Sequence, residues 1–156
     1  MGRTFSITLC ALVMATAAGG CGSNPHAEDL QKAQQAATQV ADFCAAARAN
    51  IAANEPLQAL AAEGGAPRPA EEIAVVVDPV RESNAALLQM APVEVRPDTE
   101  AALALADLRL AAFEASRGDA AVALQDPAYV AKARQVQASI DRLQLFFRTT
   151  CGIDVD

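Results

Sequence analysis

The sequence predicts an all-α protein, a small helical bundle of three long helices plus a shorter broken one, on three observations. About a quarter of the 156 residues are alanine, which loses the least side-chain entropy in a helix. Glycine is sparse, tryptophan is absent, and only one short β-branched run occurs, so no pair of strands is available. Apolar residues recur at steps of three and four through two long segments, the period of helices packed on helices.

Each element follows from local signals. Asn24-Pro25 offers a cap and a first-position proline. From about Ala27 to Ala53 a seam runs through Leu30, Ala33, Ala37, Val40, Cys44, Ala47 and Ile51, and Asn54-Glu55-Pro56 is expected to end the helix. Residues 56–69, with Gly64-Gly65 and two prolines after it, read as a surface connection containing a short turn from Leu57 to Ala62. The run Ile73–Val77 has strand character but no partner strand, and Glu71-Glu72 suit a helix start. A helix kinked or split at Pro79, resuming from Val80 to about Met90, is therefore expected.

Pro92 and Pro97 bracket a linker, with Asp98 as the expected cap of a third helix from Thr99 to about Arg117. Its broad face of Leu103, Leu105, Leu108, Leu110 and Phe113 implies two neighbours. Gly118 is a stop, and Asp119 restarts a short turn through Leu124. Asp126-Pro127 opens the last helix, whose stripe is Tyr129, Ala133, Val136, Ile140, Leu143, Phe147 and Cys151.

The N-terminus has a different character. Arg3 is followed by a charge-free apolar run from Thr4 to Ala17, too short to span a bilayer, and then by Ala18-Gly19-Gly20-Cys21. Small residues ending in a cysteine at that point resemble the lipobox of bacterial lipoproteins. The resemblance implies a signal peptide over residues 1–20 and a mature chain beginning at Cys21, which carries acyl chains such as palmitate. Residues 21–27 then form a tether and 28–156 a single helical domain, at the extracytoplasmic face of the cell membrane. Six residues reach at most about 20 Å, which would hold the domain close to the bilayer. An ordinary signal peptide cut nearby and an uncleaved anchor are the alternatives. The lipobox, the alanine-rich body, Phe43-Cys44 and Phe146-Phe147 with Cys151-Gly152 together resemble small actinobacterial envelope lipoproteins with one early and one C-terminal cysteine. That resemblance implies a cell-envelope location and brings no activity with it.

Under this processing Cys10 is removed and Cys21 is acylated, leaving Cys44 and Cys151. In an oxidising compartment the pair is expected to form one disulfide that staples the bundle. Two buried thiols and a shared metal are the rivals. A metal site needs about four ligands, and the only histidine is His26 in the tether. Both cysteines lie on the apolar seams of their helices. With helix ends flush, however, the sulfurs would sit about 20 Å apart in an antiparallel pair and about 10 Å apart in a parallel one. A disulfide tolerates Cα separations of at most about 7 Å, so stagger, bending or an unwound tail is required.

The inventory of reactive groups opposes catalysis. One histidine in a tether gives no nucleophile–base pair, and Glu71, Glu72, Asp78, Glu82, Asp107 and Glu114 are the carboxylates available for an acid–base pair. No phosphate loop occurs, and no cofactor or metal is expected. The formal charge of −7, or −8 without Arg3, repels phosphate backbones and argues against nucleic acid. The expectation is a non-enzymatic binding or interaction module, held to the membrane by its lipid and contacting an envelope protein or cell-wall component. A carrier of a small hydrophobic ligand in an inter-helix cavity is the alternative.

Overall fold

A computed structural model describes residues 25–63 and 67–154 of the chain. Every regular element among them is helical: α1 (Pro25–Glu63), α2 (Ala70–Met90), α3 (Arg96–Ala115), α4 (Ala120–Ala123) and α5 (Pro127–Phe146). The last helix widens into a π turn over Phe147–Cys151. The protein is all-α, and Cys44 is bonded to Cys151 with their Cα atoms 5.2 Å apart. The signal segment, Cys10, Cys21, the Asn24 cap and Gly64-Gly65 lie outside the described residues.

α1 is longer than its sequence signals. It takes in Pro25, His26 and Ala27, residues expected in the tether, and it runs through Pro56 to Glu63. An interior proline removes a backbone donor and typically costs about 3 kcal/mol. Burial of the next residue offsets that cost: Leu57, directly after the proline, packs among Ile73, Val77, Leu110 and Phe113. The helix persists because stopping would leave Leu57 in water.

In α2 the β-branched run is helical, and the helix is continuous across Pro79, which faces solvent. Its buried face is Ile73, Val77, Val80, Asn84 and Leu87, steps of four and three that bury one side only. Packing against α1 and α3 overrides the strand propensity of the valines.

α3 begins at Arg96, two residues before the expected cap at Asp98. Pro97 falls in its first turn, where a missing N–H costs nothing. The Val95 carbonyl accepts from both the backbone N–H and the hydroxyl of Thr99, each at 2.9 Å, and Thr99 is fully buried. The Arg96 guanidinium donates to the carbonyls of Leu88 at 3.2 Å and Ala91 at 2.8 Å, placing a cation on the C-terminus of α2. This clasp makes the α2–α3 connection tight and releases Asp98 from capping.

At the other end of α3 the Gly118 N–H donates to the Phe113 carbonyl at 2.8 Å and the Arg117 N–H to that of Glu114 at 3.0 Å. These two bonds are the Schellman pattern, but the residue at its left-handed position is Arg117, with φ +58°. Gly118 follows at φ +91°. A non-glycine residue there costs about 1–2 kcal/mol, so Arg117→Gly is expected to raise stability by about 0.5–1 kcal/mol in denaturant melts. Asp119 and Asp126 cap as expected: Asp119 Oδ1 accepts from Ala121 and Val122, and Asp126 Oδ1 from Ala128 and Tyr129.

α1 and α2 form one antiparallel hairpin and α3 and α5 another, joined through α2 against α3 in an up-down-up-down order. Two apolar clusters fill the body. One gathers Phe43, Cys44, Ala47, Leu87, Val95, Leu143, Phe147 and Cys151, and the other Leu57, Ile73, Val77, Val80, Leu110 and Phe113. Stagger supplies what the disulfide needs. The first fifteen residues of α1, about 22 Å of helix, overhang the body and bring Cys44 level with the end of α5.

Candidate functional site

Three features of the body carry polar or apolar groups beyond what the fold requires: the disulfide end, the overhanging arm of α1, and a cleft between the two hairpins.

At the disulfide end, Phe43 is fully buried, stacked on Phe147 with ring centroids 5.6 Å apart and edge-on to Phe146 at 5.9 Å. Arg48 donates to the carbonyls of Cys151 and Cys44, so its charge sits at the C-terminus of the π turn. Phe146 and Phe147 thus belong to the packed interior. The cysteine pair is buried and joins α1 to the end of α5, two helices whose main packing neighbours are α2 and α3 respectively.

The arm differs from its expected role. Of the predicted seam only Val40, Cys44 and Ala47 are covered to any extent; Leu30 is 66% exposed, Ala33 and Ala37 face solvent, and Ile51 is 38% exposed. The physical reason is length: α2 and α5 both end close to the level of Phe43, so among the described residues no helix covers the preceding turns. His26 to Gln39 are exposed on every side. An open groove of about 540 Å³ runs from Gln31, Gln35 and Gln39 to Gln89 and Met90 at the base of the arm.

The cleft lies between the two hairpins. Asn54 and Leu57 of α1, Val80 of α2, Leu105, Arg109 and Leu110 of α3, and Tyr129 of α5 line a space of about 180 Å³. Beside it is a polar cluster between α1 and α2, in which Asn50 Nδ2 donates to Ser83 Oγ at 2.9 Å and to Asn84 Oδ1 at 2.8 Å. Asn84 is 6% exposed, and its own Nδ2 has no acceptor among the described residues.

The carboxylates considered for catalysis are dispersed. Glu72 pairs with Arg68, while Asp78 and Glu114 both engage Arg81 from different helices. Glu71, Glu82 and Asp107 face solvent. Asp98 Oδ1 and Oδ2 accept from Arg142 Nη2 at 2.6 Å and Nε at 3.0 Å, tying α3 to α5, and this guanidinium holds the Asp98 carboxyl below the ordinary range. Among the described residues no group of three potential metal ligands converges, and no helix is long and apolar enough to cross a membrane.

Sequence reasoning did not single out Arg48, Arg96, Arg109 or Asn84. A signal exists for two of them: Arg109 interrupts the apolar run between Leu108 and Leu110, and Asn84 occupies a core step between Val80 and Leu87. Comparison with protein-family models, curated proteins and solved structures finds no match to this chain.

Proposed function

We propose that the protein is a lipid-anchored cell-envelope lipoprotein, acylated at Cys21, whose helical body is a non-enzymatic binding or interaction module on the extracytoplasmic face. The observation that supports this reading is the arm of α1. A polar helix of about 22 Å, solvated on all sides, begins four residues after Cys21 and ends at a body fastened by a disulfide. Such an arm acts as a stalk. It would hold an acidic body away from anionic headgroups, a greater stand-off than the short tether read from sequence alone. The partner is then an envelope protein or a cell-wall component within reach of the stalk. Cys21→Ala is expected to move the protein from the membrane fraction to the soluble one, since several acyl chains are needed for firm anchoring. Continued sedimentation with membranes would overturn the lipid assignment.

A second reading is favoured by the inter-hairpin cleft: a carrier of a small, largely apolar ligand. Its volume lies below the roughly 300–1,000 Å³ of drug-sized pockets, which limits the occupant to a short molecule or one end of a longer one.

A further inference from the structure

We propose that the cleft between the hairpins takes a small carboxylate-headed amphiphile, its head on Arg109 and its short chain against Leu57, Val80, Leu105 and Leu110. This rests on the carrier reading and names the ligand class. Three arginines of the body are half-buried: Arg68, Arg96 and Arg109. Arg68 is neutralised by Glu63 and Glu72, and Arg96 donates to two carbonyls at the end of α2. Arg109 makes no hydrogen bond and no ion pair among the described residues, and it lines the cleft.

A half-buried arginine without a partner has donors free, and a planar two-oxygen anion is the group its fork satisfies best. Tyr129, on the facing helix, is also half-buried, and its hydroxyl has no hydrogen-bond partner among the described residues. It supplies a second donor across the cleft from Arg109. The remaining walls are aliphatic, so a chain attached to the anion loses water-exposed area on entering. About 180 Å³ equals the liquid volume of roughly six waters, which admits a short acid and excludes a long acyl tail.

The chain contains one tyrosine and no tryptophan, so its intrinsic fluorescence reports from the cleft. Hexanoate titrated into the full-length chain is expected to change Tyr129 emission saturably in the millimolar range, with hexanol binding more weakly. Arg109→Gln is expected to weaken hexanoate by about tenfold or more and to leave hexanol unaffected, while Arg109→Lys retains part of the affinity. If hexanoate and hexanol bind alike and Arg109→Gln changes neither, the anionic head is wrong and the apolar carrier stands. If neither probe alters the emission, both fall. Should Arg109→Gln lose its helical circular dichroism, the comparison of hexanoate with hexanol on the unaltered protein still decides the matter.

Discussion

Breaking the bond between Cys44 and Cys151, by reductant or by the double change Cys44→Ala with Cys151→Ala, is expected to cost about 3–5 kcal/mol. The two residues are 107 apart in sequence, and closing a loop of about a hundred residues removes denatured-state entropy worth about 4.7 kcal/mol in the chain-entropy picture. The native state adds a structural reason. α1 packs on α2, and α5 packs on α3; the π turn and its disulfide are what tie the outer helix of one hairpin to the outer helix of the other. Without the bond, the arrangement of the hairpins depends on α2 against α3 and on the aromatic contacts of Phe43. Thermal melts with and without reductant check this, and the double variant should match the reduced protein. An unchanged midpoint would show that the bond contributes nothing.

Phe43→Ala should have the second-largest effect, a loss of about 3–5 kcal/mol, the range for removing a buried phenylalanine. Phe43 is fully buried and meets both aromatic rings at the end of α5, one residue before the disulfide. Its removal leaves a void bounded by Leu87, Leu143 and Phe147, side chains held on three different helical segments that cannot all close in together. Phe43→Leu keeps part of the volume and should cost less than half as much. Chemical denaturation of both variants separates these outcomes, and equal losses would contradict the packing argument.

Elements whose signals are local were legible in the sequence. Asp126-Pro127 starts α5 and Asp119 starts α4, because a cap and its backbone donors lie within three residues of each other. In the α5 stripe Val136, Leu143, Phe147 and Cys151 are buried as their spacing required, and Ile140 is half-buried. What the sequence concealed depends on distant packing. Pro56 reads as a stop, but Leu57 has a core position waiting for it; Asp98 reads as a cap, but Arg142 on α5 takes its carboxylate. The seam at Leu30, Ala33 and Ala37 continues the buried period of Cys44 and Ala47, and periodicity does not reveal where the neighbouring helices end. The cleft was hidden for the same reason: its walls, Leu57, Val80, Leu110 and Tyr129, come from four helices and are brought together only by their packing.

The account rests most on the covalent tie between the middle of α1 and the C-terminal turn. Trypsin digestion of the purified protein without reduction, followed by mass spectrometry, tests it directly. Cleavage after Lys32, Arg48 and Arg148 isolates residues 33–48 and 149–156, each holding one of the two cysteines. A single species with the summed mass of both peptides, less two hydrogens, is the predicted result. Recovery of the two peptides separately, each alkylated at its cysteine, would contradict it.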